Sequence, residues 1–356
     1  MGVGDLTAIA ASSRMRQALL TAPRTLNWTE LELPQPKAGE VLVRTRAALT
    51  CGTDLKTYRR GHPKIPFGPF GHEASGDIAA LGSGVDRFNV GDPVMWVQTA
   101  PCGSCAPCRD GMENLCEHLT DEMALGAYAS HVLLPAKIVA RNLYAKPAAL
   151  RYIEAAFLEP LACIVHGWSV LQRGGRASTR AGSLAIIGAG AIGLLHVLYA
   201  KHAGMSVTVI AHGEERASLA RELGADRTLP SSAGQSGNFD AVIECAGTTS
   251  SWREAVELAA PCGRVLFFSG LPADTDVSLD AGRMHYQELT CCGSFHFTPD
   301  DVRTARDLLT EGALPVKRLI SAVVPLDRLA DVFERLEQRN GLKYALIPEP
   351  FEPQWV

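Results

Sequence analysis

The chain has no run of lysine or arginine, no internal repeat and no low-complexity tract. Without clustered positive charge, a nucleic-acid or anionic-membrane footprint is excluded. The N-terminal stretch MGVGDLTAIAASSR lacks the basic segment of a signal peptide and carries an acid at Asp5. A cytoplasmic protein is therefore expected. The longest uncharged run, Ser183 to Ala200, is broken by Gly188, Gly190 and Gly193 and contains His196. A strand, a tight turn and a buried helix explain it better than a membrane span.

What is present is ordinary for a globular chain. There are 356 residues, 47% apolar and 20% charged, with a formal net charge of −4. That length exceeds what a single core usually reaches, so two domains are expected. Ten cysteines without an export signal argue against a disulfide framework. Four of them follow the spacing Cys102-x2-Cys105-x2-Cys108-x7-Cys116. Thiolates so spaced can wrap one tetrahedral zinc, and Gly103, Pro107 and Gly111 supply the turns. A [4Fe–4S] cluster is the alternative, but its fourth cysteine is usually three residues on and followed by proline, whereas Glu117 follows Cys116. Four cysteine ligands close the coordination sphere, so the site is read as structural.

Residues 15 to 180 hold short β-type runs, Glu40–Arg46, Ala74–Leu81 and Asp92–Val97, punctuated by glycine and proline. The first fourteen residues read as a loose extension. From about residue 182 strands alternate with helices. The strands expected are Leu184–Ile187, Val207–Ala211, Ala241–Cys245, Val265–Ser269 and Leu289–Cys292. Helices are expected near 190–203, 214–223 and 251–260, then at Asp300–Glu311 and Leu326–Gln338, with a last strand at Tyr344–Ile347. Such alternation predicts a parallel sheet with crossover helices.

Gly188-Ala189-Gly190-Ala191-Ile192-Gly193 fits G-x-G-x-x-G between a strand and a helix. In that context the glycines admit a tight turn, close approach of a pyrophosphate and close helix–strand packing. The acid that binds a ribose 2′-hydroxyl is missing: Ala211 stands where it is expected. His212 and Arg216 lie close enough to face a 2′-phosphate, so NADP is favoured over NAD, with Glu214 as the group that would serve a ribose instead.

These features together resemble the zinc-dependent medium-chain dehydrogenase/reductases, the alcohol, polyol and threonine dehydrogenase group. The carriers are CGTD at Cys51–Asp54, GHE at Gly71–Glu73, the four-cysteine lobe, LEPLAC at Leu158–Cys163, GAGAIG at Gly188–Gly193 and ECAG at Glu244–Gly247. The resemblance spans nearly the whole chain from Met15. It implies an α/β architecture: a GroES-like, mostly β catalytic domain with the doubly wound parallel sheet of a Rossmann domain. The bounds expected are 1–165 for the catalytic domain with its zinc lobe near 100–118, 166–298 for the Rossmann domain, and 299–356 returning to the catalytic domain.

The resemblance further implies a catalytic zinc held by Cys51 and His72, with Glu73 and Glu159 as alternating or water-linked carboxylates and Cys163 as a rival ligand. A carboxylate at Glu159 resembles the polyol, sugar and threonine dehydrogenases rather than those with a second cysteine there. Thr53 matches the hydroxyl of the family's proton relay, but Lys56 stands where a relay histidine is common. Ala246, Gly247 and Ser269 are expected at the cofactor, as are Gly188, Gly190, Ala191, Ile192 and Gly193. Lys56, Arg59, Arg60 and His62 form a basic stretch that would favour a polar or anionic substrate or simply face solvent, and His296 is a candidate substrate contact.

The expected activity is hydride transfer between a nicotinamide and a secondary alcohol or ketone of a polyol, sugar, cyclitol or amino alcohol. Two zinc ions per chain and a homodimer or homotetramer are expected with it. The competing readings are a zinc-independent enone or quinone reductase, a non-catalytic dinucleotide-binding relative, and a zinc-finger interaction protein.

Overall fold

Apolar residues at alternate positions of VLVRTRAAL put it at the centre of a sheet, because a strand turns successive side chains to opposite faces. The structure, a computed structural model, describes residues 14–62, 65–173, 182–348 and 354–355. The first part carries β1 (Arg14–Ala22), β2 (Thr25–Glu32), β3 (Val41–Leu49), α1 (Gly52–Arg60), β4 (Gly68–Pro69), β5 (Glu73–Leu81), β6 (Pro93–Trp96), α2 (Ala106–Arg109), β7 (His131–Leu134), α3 (Ala136–Asn142) and β8 (Leu143–Ala145). Helices α4 (Tyr152–Ala155) and α5 (Leu158–Gln172) lead out of it. The middle part is β9 (Ser183–Ile187), α6 (Ala191–His202), β10 (Ser206–Ile210), α7 (Glu214–Glu222), β11 (Arg227–Leu229), β12 (Phe239–Glu244), α8 (Thr249–Leu258), β13 (Ala259–Phe267), α9 (Ala281–Tyr286) and β14 (Thr290–Gly293). The chain ends with α10 (Pro299–Thr310), β15 (Ile320–Pro325), α11 (Leu329–Glu337), β16 (Lys343–Ile347) and β17 (Gln354–Trp355).

Three sheets result. The middle part is a six-stranded parallel sheet in the order β11-β10-β9-β12-β13-β14. This is the Rossmann order, with the strand sequence reversing between β9 and β12. A mixed sheet, β17-β15-β16-β3-β5-β6-β8 with β7 on β3, joins both ends of the chain, and β2-β1-β4 forms a small antiparallel sheet. The GroES-like and Rossmann expectations are thus both met.

Helix α5 joins these layers. Its side chains are apolar nearly all round, and a helix of that kind must be buried on every face. Leu161, Ile164 and Trp168 belong to one core that also takes Leu49 and Met95 from the mixed sheet and Leu184 and Ile186 from the parallel one. Each such side chain contributes about 1.5–3 kcal/mol by leaving water. His166 on α5 meets Asp301 on α10 at 2.8 Å inside the same core. Tyr152–Gln172 is the one helical stretch among the described residues long and apolar enough to cross a membrane, and 72% of its most apolar 18-residue window is buried within the protein. Ser183–Ala200 is a strand, a turn and most of a helix, as expected.

The differences from expectation have local causes. Helices α1 and α5 fall within the stretch read as mostly β. GTDLKTYRR is short and polar, and α5 lacks the amphipathic period that announces a helix. Strand β13 starts at Ala259, six residues early, through an irregularity in its pairing with β12, where Cys262 takes a positive φ of 60°. The helix expected at Leu326–Gln338 begins with a 3-10 turn before α11. The first thirteen residues lie outside the described residues, and Arg14 already belongs to β1.

Candidate active site

A cleft of about 490 Å³ lies between the two large sheets. Cys51, His72, Glu73 and Glu159 line it on one side, and Gly190, Ala191 and Ile192 on the other. The strand–helix junction β3–α1 sets the first donor. Cys51 is the N-cap of α1 in extended conformation, and its Sγ accepts the amide of Thr53 at 3.4 Å. Asp54, three residues on, closes the cap by accepting the Cys51 amide at 3.2 Å. The same buried carboxylate faces His72 Nδ1 at 3.1 Å and receives the Tyr128 hydroxyl at 2.5 Å. With Nδ1 engaged, Nε2 is left as the lone-pair nitrogen. It sits 4.0 Å from Glu159 Oε2.

Burial disfavours a charged His72, yet Asp54 and the Cys51 sulfur raise its pKa well above the ordinary imidazole value. Glu73, at the start of β5, is fully buried, and burial pushes it up to about 7 against the pull of Lys343. Lys343 Nζ donates to both Glu73 oxygens, at 2.7 and 2.5 Å, and to the carbonyl of Thr50 at 2.7 Å. Glu159 Oε1 accepts from Gln98 Nε2 at 2.9 Å. Donor atoms of Cys51, His72 and Glu73 all lie within 4.8 Å of one another. A thiolate, an imidazole nitrogen and a carboxylate so crowded, among acids and away from water, fit a divalent zinc. Cys163, the rival ligand, sits 3.8 Å from Glu159 Oε1, and burial raises its thiol well above the usual range.

The four-cysteine lobe gathers around α2. Its sulfur–sulfur distances are 4.0 Å for Cys102–Cys108 and 3.8 Å for Cys105–Cys116, and all four sulfurs lie within 4.8 Å of one another. Tetrahedral zinc with bonds of about 2.3 Å has an edge of about 3.8 Å, which these match. A four-iron cluster would hold the thiolates farther apart, because each binds a different iron. The amide and hydroxyl of Ser104 and the amide of Cys105 pull the Cys102 thiol down to about 5, whereas burial pushes Cys108 up to about 12 and raises Cys116.

At the other side, Gly188 turns the chain with φ 103°. A side chain at Gly193 would lie 1.9 Å from the carbonyl oxygen of Gly188, so only glycine lets α6 approach β9 this closely. No side chain caps the first turn of α6, whose amides and dipole therefore remain for an anion. This fits a dinucleotide pyrophosphate at the switch point of the parallel sheet. Ala246 and Ser269 line the same cleft, and Gly247 follows in the turn between them with φ 68°.

The 2′ end is arranged differently from the simplest expectation. Ala211 is buried just past β10, and His212 is exposed beside it. Arg216 Nη2, however, donates to the carbonyls of Arg339 and Gly341, at 3.2 and 2.6 Å, tying α7 to the C-terminal segment. Glu214 is paired with Arg221. Thr53 and Lys56 line the cleft on α1, and His296 lines it with Nε2 at 2.5 Å from Thr99 Oγ1. Arg59 is bonded to Glu337 at 3.0 Å rather than facing the cleft. Sequence reasoning missed Lys343, Tyr128 and Gln98, which lie far along the chain from the groups they hold. Asp54 was findable: an acid three residues after the helix cap is a local signal.

The chain belongs to the zinc-binding alcohol and polyol dehydrogenases and is a dehydrogenase of that type. The alcohol dehydrogenase GroES-like domain matches residues 37–144, and the zinc-binding dehydrogenase domain matches 191–311. It is similar to D-altritol 5-dehydrogenase of Agrobacterium fabrum, with 30% identity over 86% of this chain and 91% of the relative. Among solved structures, a protein of Sinorhizobium meliloti 1021 described as a zinc-binding dehydrogenase, bound to NADP, has 30% identity and a TM-score of 0.85, covering 95% of this chain and 100% of that one. A protein of Escherichia coli CFT073 described as a short chain alcohol dehydrogenase, complexed with NADH, has 28% identity and a TM-score of 0.82, covering 94% and 100%.

Proposed function

We propose that the protein oxidises a secondary alcohol of a polyol, sugar, cyclitol or amino alcohol, or reduces the matching ketone, using a nicotinamide dinucleotide and two zinc ions per chain. The observation that carries this is one cleft lined both by the Cys51–His72–Glu73–Glu159 donors and by the open end of α6. Zinc at those donors supplies Lewis acidity to the substrate oxygen. Cys51 and His72 hold it. Lys343 engages both Glu73 oxygens, so Glu159, whose Oε2 faces His72 Nε2, is the carboxylate ligand and Glu73 the reserve. Cys102, Cys105, Cys108 and Cys116 hold the structural ion.

Thr53 and Lys56 carry the alcohol proton out of the cleft. Their place on α1, beside the zinc donors and open to solvent, supports this. At the 2′ end the pocket is read as open to NADP(H), because no acid stands at Ala211 and Glu214 is neutralised by Arg221. Arg216 is engaged elsewhere, so the preference rests on His212. The domain bounds 1–165, 166–298 and 299–356, a cytoplasmic location and a homodimer or homotetramer belong to the same reading.

The test is nicotinamide absorbance with a panel of polyols and amino alcohols, with NADP and NAD, before and after chelation. Turnover lost on chelation and restored by zinc is expected. Full turnover in the metal-free protein, or none with any secondary alcohol, sinks the reading.

A further inference from the structure

Glu244 is the last residue of β12 and is fully buried. Its Oε1 accepts three hydrogen bonds: from the amides of Ala246 and Gly247, at 2.7 and 2.6 Å, and from the Ser251 hydroxyl at 2.8 Å. Its main-chain carbonyl accepts two more, from the amides of Phe268 and Ser269, at 3.1 and 3.2 Å. One residue therefore fixes the turn after β12, the first turn of α8 and the loop after β13. Its other carboxylate oxygen, Oε2, is buried with no partner among the described residues.

The segments that Glu244 holds are a wall of the cleft. Cys245, Ala246, Phe268, Ser269 and Gly270 line it between the open end of α6 and the zinc donors. A dinucleotide with its pyrophosphate on α6 and its ring at the metal must run its nicotinamide half along this wall. The fit there is tight. A side chain added at Gly188 would meet Ala246 N at 3.3 Å, and one added at Gly247 would meet Ser269 Cβ at 3.3 Å. A shift of a few tenths of an ångström in the turn changes the width of the slot. An acceptor shared by three donors holds such a turn more rigidly than solvent would.

We propose that the Glu244 side chain is a positioning residue for the nicotinamide half of the cofactor, acting through the 245–247 turn and Ser251. This rests on the dinucleotide reading above. Glu244 itself bonds neither α6 nor the metal donors, so its effect is expected to fall more on the nicotinamide half of the ligand than on the adenine half.

The experiment compares NADH, NADPH and ADP on the zinc-loaded protein. Nicotinamide fluorescence reads the first two, and calorimetry reads ADP, which lacks the nicotinamide ribose and ring. Glu244→Ala is expected to weaken NADH and NADPH at least tenfold, about 1.4 kcal/mol, and to leave ADP within twofold. Glu244→Gln keeps the acceptor oxygen and stays within threefold of wild type for all three. If circular dichroism shows Glu244→Ala to be unfolded, Glu244→Asp, which withdraws the oxygen by one methylene, is expected to weaken both dinucleotides at least fivefold with ADP unchanged. Unchanged dinucleotide binding, equal weakening of NADH and ADP in a folded variant, or a glutamine variant as weak as alanine overturns the proposal. A wild-type protein that binds ADP but neither dinucleotide removes the reading beneath it.

Discussion

Replacing Lys343 by Met strands the Glu73 carboxylate in a site with no water to solvate it. The side chains of Lys343 and Glu73 are 3% and 0% exposed. At an effective dielectric near 20, opposite charges about 4 Å apart attract by about 4 kcal/mol, and the contacts here, at 2.5 and 2.7 Å, are closer. Breaking a buried pair by removing one partner costs about 3–5 kcal/mol. The two figures agree, so Lys343→Met is expected to destabilise by about 3–5 kcal/mol, read as the displacement of the urea unfolding curve. Glu73→Gln/Lys343→Met removes both charges together. Its cost is expected to be smaller than that of Lys343→Met alone by about 2 kcal/mol or more, because no uncompensated charge remains. Urea curves followed by tryptophan fluorescence at one pH, on zinc-loaded and chelated protein, separate the pair from its effect on metal. A cost below about 1 kcal/mol for Lys343→Met, or a double variant no better than the single one, refutes the reasoning.

Asp54→Asn keeps the size of the side chain but not the charge that orients His72, and is expected to weaken zinc affinity or turnover about 10–100-fold; competition against a chromogenic chelator measures it, and unchanged affinity with unchanged turnover refutes it. His196 is fully buried, with Nδ1 accepting from Trp168 Nε1 at 3.0 Å, and burial pushes its pKa down to about 3. A depressed histidine favours its neutral form in the fold, so its contribution is complete above the unfolded value near 6.5 and is lost as pH falls towards 3. Between pH 7 and 5 that loss is about 2 kcal/mol, and His196→Leu should flatten that part of the stability–pH curve; an identical slope in the variant refutes it. Lys56→Ala should slow alcohol oxidation near neutral pH and recover towards high pH, whereas an unchanged pH–rate profile removes Lys56 from the proton path.

Most of the parallel sheet was legible in sequence because each β–α unit declares itself within about 30 residues. GAGAIG is a local device, and its glycines are needed where a side chain would meet backbone. The four-cysteine lobe is likewise contained in fifteen residues. The helix α5 was not legible: a helix buried on all sides has no amphipathic period to read. Lys343 was beyond reach because 270 residues separate it from Glu73, and only the return of β16 beside β3 brings them together. Arg216 shows the reverse case. Its distance in sequence from the glycine turn suggested a phosphate contact, but two carbonyls of the C-terminal segment claim it.

The charges of the site argue for a dication independently of any motif. Cys51, Glu73, Glu159 and Asp54 are gathered around one imidazole, and Lys343 is the cation bonded among them. Lys343 reaches Glu73 but bonds neither Cys51 nor Glu159, and Glu159 Oε2 lies 4.0 Å from His72 Nε2. Charges buried without a partner shift towards their neutral forms. Burial raises Glu73 to about 7 although Lys343 pulls it down, and burial raises the Cys163 thiol. In the proposed reading, a divalent ion at Cys51, His72 and Glu159 would offset acidic charge that Lys343 does not reach, with Lys343 holding Glu73 back. The proposed division between the two glutamates rests on which one the lysine already occupies.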